Sequence, residues 1–345
     1  MGKIKRTNDK INKKNSKENN KGKTQKGRKR NKKKIRLKII LTATFLIFFF
    51  LVGLFLFRWG QNGWGWQGFL MTIFGHSSST VYDLGRVNVL IIGSDDGDQA
   101  DTVLLASYDP RMQEIAMLSI PRDTFIGEDI NRAAPRDRIN SVGKNPEAIM
   151  AAVEEITGLE IHFYVSIEID AFIELVDEIG GVDFYVPIDM NYYDPCQDLL
   201  IDLRAGQQRL NGAQAEQLVR FRNSNTGVTF DYEYGTYDYG RMRTGRDFIL
   251  ATMQQTLRPE NILRIRGILD VMYGRVTTNV SLATARDYIP YVINFNDLTI
   301  LSNQLPGESK IPNGSWVFIH DPEETAIMVR EMFFTFEDRE TVEDS

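Results

Sequence analysis

Nineteen consecutive residues without a charge, Ile39–Phe57 (IILTATFLIFFFLVGLFLF), constrain this chain more than any other feature. Only Thr42, Thr44 and Gly53 interrupt the large apolar side chains. As a helix rising ~1.5 Å per residue, the run spans roughly 28 Å, close to the ~30 Å hydrocarbon core of a bilayer. A cleaved signal peptide is the competing explanation, but its apolar region is normally only ~7–15 residues and ends at a small-residue cleavage site. Here Arg58 and the tryptophans Trp59, Trp64 and Trp66 follow instead, a composition suited to an interfacial belt. The expectation is an uncleaved signal anchor at 39–57.

The charge distribution then sets an expected orientation. Residues 1–38 carry 18 Lys/Arg against 2 Asp/Glu, a net of +16, whereas the other 307 residues carry 23 against 44, a net of −21. The overall net charge of −5 averages these two pieces and excludes both a uniformly acidic soluble enzyme and a generally basic nucleic-acid binder. The positive-inside rule places the basic end in the cytoplasm and everything after residue 57 outside. Residues 1–38 are rich in Lys, Asn and Gly and nearly devoid of apolar residues, so a disordered tail is expected. Its GRKRNKKK run fits anionic lipid headgroups better than nucleic acid, because a span lies directly downstream. The lone Cys196 rules out an intramolecular disulfide and is read as an incidental thiol; His76, His162 and His320 are too few and too scattered for a histidine metal cluster.

Residues 58–85 read as a Gly/Trp/Ser-rich stem without periodicity, 86–337 as one outer domain and 338–345 as an acidic tail. Short apolar runs bounded by turn residues predict strands at 87–92, 102–108, 114–120, 163–167 and 182–186. Helical patterns fall at 146–156, 171–179 (stopped by Gly180-Gly181), 211–219 with Asn211 as cap, and about 240–257. Helices near 260–273, 281–293 and 322–335 follow, with strands near 298–302 and 315–319. The alternation argues for an α/β domain, a sheet with helices on its faces.

After residue 57 there are only two lysines, Lys144 and Lys310, against 21 arginines. Arginine binds phosphate bidentately and stays charged. Three groupings draw attention: the carboxylate loop Asp95, Asp96, Asp98 and Asp101; the segment Ser119–Thr124 with Arg122 and Asp123; and Arg220-Phe-Arg222 with Arg241 and Arg243. The first two follow strand ends, where open α/β sheets bind ligands. Hard carboxylate oxygens suit Mg²⁺ shared with substrate phosphates, and arginines neutralise the remaining charge. The combination describes a diphosphate site. Taken singly, each grouping has a plainer explanation: an Asp-rich loop as a solvated turn, Arg-x-Arg as surface salt bridging, and Asp109-Pro110-Arg111 as a turn.

The ordered set VNVLIIGSD (87–95), ADTVLLASYDP (100–110), MLSIPRDTFI (117–126), RINSVG (138–143), FIELVDEIGGVDFYVP (172–187), LRAGQQRLNGAQAEQLVRFR (203–222) and DYGRMRTGRDFI (238–249) resembles the LytR-CpsA-Psr (LCP) family of Gram-positive cell-wall proteins. The resemblance implies a single extracytoplasmic domain with a central mixed sheet flanked by helices. It also implies phosphotransfer dependent on Mg²⁺ (or Mn²⁺): an anionic glycopolymer such as teichoic acid moves from a polyprenyl-pyrophosphate carrier to peptidoglycan. By motif, Asp95 and Asp101 match the family's metal-binding carboxylates, and Arg122, Arg220, Arg222 and Arg241 the arginines gripping the pyrophosphate. Asp123 is expected to orient Arg122 rather than to act as a base. The family usually carries an arginine just after the first metal aspartate and another before the second, where this chain reads Asp96-Gly97 and Gln99-Ala100 in a shorter loop. Gly245 also stands where the family has glutamine. Arg243, Arg246 or Lys144 are the residues that would compensate. A polyprenyl-phosphate-binding or regulatory protein and a lipid-pyrophosphate phosphatase are the alternatives to the transferase.

Overall fold

The computed structural model describes residues 38–76, 84–95, 99–143, 145–196, 199–292 and 298–334. The expected basic tail, the acidic tail, Asp96, Asp98 and Lys144 fall outside them, apart from Lys38. The chain divides into two units, Met1–Thr72 and Ile73–Ser345.

In the first unit, helix α1 (Lys38–Gln61) is 24 residues long and apolar enough to cross a membrane by length and composition. Its two threonines cause no unsatisfied polarity, because each hydroxyl donates to the carbonyl four residues back, Lys38 and Ile40, at 2.9 Å. The helix outlasts the apolar run by four residues. The stem expected to lack periodicity contains a second helix, α2 (Trp66–Phe74). Tight approach makes this turn: a Cβ on Gly68 would lie 1.7 Å from the Gly63 carbonyl oxygen, so only glycine fits. The Asn62 amide then donates to Thr72 at 3.1 Å, and Trp59 stacks edgewise on Phe69.

The second unit is built on a six-stranded mixed sheet of order β10-β3-β2-β1-β4-β9. Its strands are β1 (Val87–Ser94), β2 (Ala100–Asp109), β3 (Glu114–Ile120), β4 (Phe163–Glu168), β9 (Val276–Thr278) and β10 (Thr299–Gln304). β1, β2 and β3 run antiparallel in sequence, while β4 joins β1 and β10 joins β3 in parallel. The tight β2–β3 connection rests on Asp109, whose buried Oδ1 accepts the amides of Arg111 (2.9 Å) and Met112 (3.1 Å). Period-2 alternation sends Leu90, Ile92, Val103, Leu105, Leu118 and Ile120 to one face. There they form a core with α3 (Pro146–Thr157) and α9 (Pro322–Phe333). Leu104 and Met117 are buried on the opposite face.

A second core has no residue of that sheet. It is formed by α4 (Ile169–Glu178), α5 (Gly212–Arg220), α6 (Asp238–Thr256) and α7 (Ile265–Arg275) with two small antiparallel ladders. β5 (Val182–Val186) pairs with β8 (Gly206–Leu210), and β6 (Met190–Asp194) with β7 (Leu199–Leu203). The strand expected at 182–186 therefore exists but lies outside the central sheet. The β6–β7 hairpin escaped the sequence pattern because Tyr193 and Leu200 point apolar surface outward. α8 (Leu282–Val292), β11 (Gly307–Lys310) and β12 (Val317–His320) complete the unit.

Candidate functional site

Register brings the carboxylate loop and the Ser-Ile-Pro-Arg segment together. Ser94 of β1 pairs with Ala100 of β2 after a shift at Gly93, so Asp95 leaves the sheet where Asp101 enters it. β2 pairs Val103 with Ile120, and continuing that antiparallel ladder sets Asp101 beside Arg122. The Arg122 guanidinium donates through Nη1 to Asp101 Oδ1, with both side chains about three-quarters buried. Burial pulls the Arg122 pKa down, but Asp101, Asp238 and Asp123 together outweigh it and raise it above the ordinary value. Arg122 is a permanent cation.

The turn beneath Arg122 is fixed by backbone polarity. Buried Thr124 returns both its amide (3.0 Å) and its hydroxyl (2.6 Å) to the Pro121 carbonyl. The 138–143 segment lies alongside, its Asn140 amide reaching the Arg122 carbonyl at 3.1 Å. Asp123 does not bond Arg122: its Oδ1 accepts from Arg138 Nη1 at 2.9 Å, and its carbonyl accepts from the Phe318 amide. Asp101, not Asp123, is the carboxylate hydrogen-bonded to Arg122.

The third grouping arrives from the second core. α5 opens with a capping box in which the Asn211 side chain accepts from the Gln214 amide and Gln214 accepts from the Asn211 amide. It ends at Arg220, and Phe221 continues in extended conformation, fully buried against Phe230 at 5.6 Å. Alternation about that anchor turns Arg220 and Arg222 away from the core. Arg220 pairs with Glu216 at 2.9 Å, and Arg222 Nε reaches Asp238 Oδ1 at 3.0 Å.

Asp238 begins α6, where a negative charge complements the helix N-terminus. One turn on, Arg241 Nε donates to the same Oδ1 at 2.8 Å, and its Nη2 reaches the Asp101 carbonyl at 3.4 Å. Burial raises the Asp238 pKa, but Arg241, Arg222 and Arg122 more than offset this and hold it below the usual carboxylate value. The loop before α6 packs closely: a Cβ on Gly240 would lie 2.2 Å from the Phe230 ring and 2.3 Å from the Gly235 carbonyl. That loop is tied to Arg222 through Thr229, whose hydroxyl donates to the Arg222 carbonyl (2.7 Å) and accepts the Tyr237 amide (2.9 Å).

Three separate segments thus deliver Arg122, Arg222 and Arg241 to two carboxylates, Asp101 and Asp238, at one end of the sheet. Asp95 lies at that end, and Arg220 is two residues from Arg222. Arg243 is turned away, lying over the Tyr234 ring at 4.4 Å and donating to the Glu233 and Tyr234 carbonyls. Arg246 is buried and bonds Ser119 (2.9 Å) and the Asn303 carbonyl (3.0 Å), joining α6 to β3 and β10. Among the described residues no three Asp, Glu, His or Cys side chains converge on a metal-sized site. Neither Asp238 nor Arg138 is among the candidate site residues read from the sequence. The Asp-x-x-Arg spacing at a helix start was the available signal for Asp238; Arg138 had none.

The family model described as LytR_cpsA_psr family matches residues 75–333. A relative from Oceanobacillus iheyensis, named polyisoprenyl-teichoic acid–peptidoglycan teichoic acid transferase TagU, is 29% identical over 249 residues, covering 69% of this chain and 72% of that protein. The transferase of the same description named TagV, from Bacillus subtilis, is 27% identical over 188 residues, covering 53% of this chain and 46% of its own length. The solved structure of B. subtilis TagV superposes with a TM-score of 0.56 at 23% identity, over 72% of this chain and 97% of that one. A solved structure of TagT bound to LI-WTA gives 0.54 at 20% identity, over 72% and 90%. At these identities the superpositions establish the fold, a mixed α/β domain with a central sheet flanked by helices.

Proposed function

The chain belongs to the LytR-CpsA-Psr family, and from that premise we propose that it is a membrane-anchored phosphotransferase of cell-wall assembly. It moves an anionic glycopolymer of the teichoic acid type from a polyprenyl-pyrophosphate carrier to a peptidoglycan hydroxyl. The observation that carries this reading is the convergence of Arg122, Arg222 and Arg241 on Asp101 and Asp238. Related proteins named as teichoic acid transferases support the substrate class.

Arg122, Arg222 and Arg241, with Arg220 beside them, grip the two phosphates through charge-assisted bonds. The acceptor hydroxyl attacks the phosphorus bearing the polymer and releases its proton to solvent; the bond to the bridging oxygen breaks, and polyprenyl phosphate leaves. Negative charge grows on that bridging oxygen, and fixed guanidiniums in a partly dry site stabilise it without reorganising. Asp238 holds two of these guanidiniums in place and Asp101 holds the third.

Asp95 and Asp101 fit a divalent cation shared with substrate: they offer hard oxygens at one sheet end, and Mg²⁺ typically takes one or two carboxylates plus phosphates. When bound, Mg²⁺ supplies further charge neutralisation at the phosphates.

α1 anchors the enzyme beside a carrier that is itself confined to the bilayer, which raises its effective concentration. Its basic N-terminal flank lies in the cytoplasm against anionic lipid, and the catalytic domain lies outside. The apolar faces of the sheet and helices hold the lipid tail. The test is Asp101→Asn in the full chain: conjugate formation falls steeply and the Mg²⁺ response is lost. Unchanged turnover would refute the assignment. Free glycopolymer phosphate in place of conjugate would mark a phosphatase, and tight lipid binding without turnover a binding protein.

A further inference from the structure

From Trp59 to Gly75 the chain carries no Asp, Glu, Lys or Arg, yet it holds three of the four tryptophans. A linker leading from a bilayer into water needs neither property. The structure gives this segment a definite place at the end of α1. Gly68 and Thr72, one turn apart on α2, both meet the corner at Asn62 and Gly63. α2 therefore does not climb away from the end of α1 but lies across it. From the turn between those two contacts, the Phe69 ring reaches back to Trp59 (5.6 Å) and Phe55 (5.9 Å).

That contact fixes a depth. Phe55 lies inside the apolar run, two residues or about 3 Å short of its end at Phe57. With α1 filling the ~30 Å hydrocarbon core, Phe69 sits at the hydrocarbon boundary on the side opposite the basic flank. The rings of Phe55, Trp59, Trp64, Trp66 and Phe69 touch one another in a continuous pile at this level. Amphipathic indole rings favour that zone of a bilayer.

The surface chemistry selects the partner. At about 100° per residue, Trp66, Phe69 and Ile73 fall within about 60° of one another on α2. None of the three is buried; Ile73 is 52% exposed, and Trp64 in the preceding turn 71%. Polar groups are tied back inside the fold instead. The Thr72 hydroxyl donates to the Gly68 carbonyl at 2.7 Å and accepts from Asn62, and the Trp59 indole donates to the Gly65 carbonyl at 3.1 Å. Apolar side chains outward and hydrogen bonds satisfied internally are what a nonpolar solvent demands. At ~1.5 Å per residue α2 is about 13 Å long, far too short to cross the core.

We propose that α2 is an interfacial helix, seated in the boundary of the bilayer with lipid acyl chains covering Trp64, Trp66, Phe69 and Ile73. The proposal rests on the reading that α1 spans the membrane. It extends the membrane-attached part of the chain from the end of the apolar run to about Phe74. A helix lying across the end of α1 also sets how deep that span can sit, because the span cannot sink further without drawing α2 into the core. Burial of apolar surface, not ion pairing with headgroups, holds it there, since the segment has no charge to offer.

The experiment uses the full chain with Trp66 as its only tryptophan (Trp59→Phe, Trp64→Phe, Trp316→Phe), reconstituted in phosphatidylcholine vesicles. Lipid brominated on the upper part of its acyl chains is expected to quench Trp66 emission at least about threefold more than aqueous iodide does. A chain keeping only Trp316, which is 53% exposed, supplies the iodide-accessible reference. Flotation of the vesicles reports α1 separately. A chain that floats while iodide, and not brominated lipid, quenches Trp66 would overturn the proposal and leave the span standing. Trp66 shielded from both quenchers would mean that protein rather than lipid covers α2, and would overturn it as well. A chain that does not float removes the span, and the proposal with it.

Discussion

Asp238→Asn isolates the carboxylate that organises the site. One oxygen of Asp238 accepts from Arg241 Nε at 2.8 Å and from Arg222 Nε at 3.0 Å. The Arg241 side chain is 10% exposed and the Arg222 side chain 44%. The first is a nearly buried charge-assisted bond contributing about 1.5–2 kcal/mol; the second, screened by solvent, contributes about 0.5 kcal/mol. The variant should lose about 2 kcal/mol of stability, which in a domain of this size lowers Tm by roughly 4–8 °C. Transfer should fall about 10–100-fold, because two phosphate-binding guanidiniums lose their fixed positions. The pH dependence has a definite sign. The folded pKa lies below the ordinary 3.8, so the stabilisation is complete above 3.8 and fades as pH falls through the lower folded value. Thermal unfolding of both proteins across pH 2–7 at about one-unit steps reads this directly. A Tm difference below about 1 °C at neutral pH, or one that grows on acidification, would refute the reasoning.

Arg122→Lys keeps the charge but loses the planar fork, so transfer should drop at least about tenfold with little change in Tm, separating geometry from charge. Tyr237 adopts φ +52° and ψ −119° immediately before Asp238, a region L-residues rarely occupy. Tyr237→Gly should raise stability by about 1 kcal/mol in thermal unfolding. Gly240→Ala forces a methyl into the Phe230 ring and the Gly235 carbonyl; chemical denaturation should show a loss of about 1–3 kcal/mol.

Strong periodicity made much of the fold legible. β3 was expected at 114–120 and occurs there, because six of its seven residues are buried and Gln113 and Pro121 bound it. α5 and its Asn211 cap were legible for a similar reason: the Asn-Gly-Ala-Gln spacing satisfies two backbone amides locally. The β6–β7 hairpin and the helix at 66–74 were not. The hairpin exposes Tyr193 and Leu200, and α2 depends on the contact at Gly68, which a linear pattern does not display. The site was legible as residue types and not as pairings. Arg122, Arg222 and Arg241 stood out in an arginine-rich, lysine-poor domain. Asp101 looked only like a metal ligand, and its contact with Arg122 follows from strand register. Asp123, adjacent in sequence to Arg122, pairs with Arg138 because the turn at Pro121–Thr124 directs the two side chains apart.

The central claim is that Arg122, Arg222 and Arg241 hold a lipid pyrophosphate for transfer. Its most direct test is reconstitution of the full chain in detergent with a lipid-pyrophosphate-linked saccharide and peptidoglycan oligomers, with and without Mg²⁺. The account predicts a saccharide–peptidoglycan conjugate that needs Mg²⁺ and disappears in Arg122→Ala. A conjugate formed equally well by Arg122→Ala, or a carrier left intact by the wild-type protein under all conditions, would contradict it.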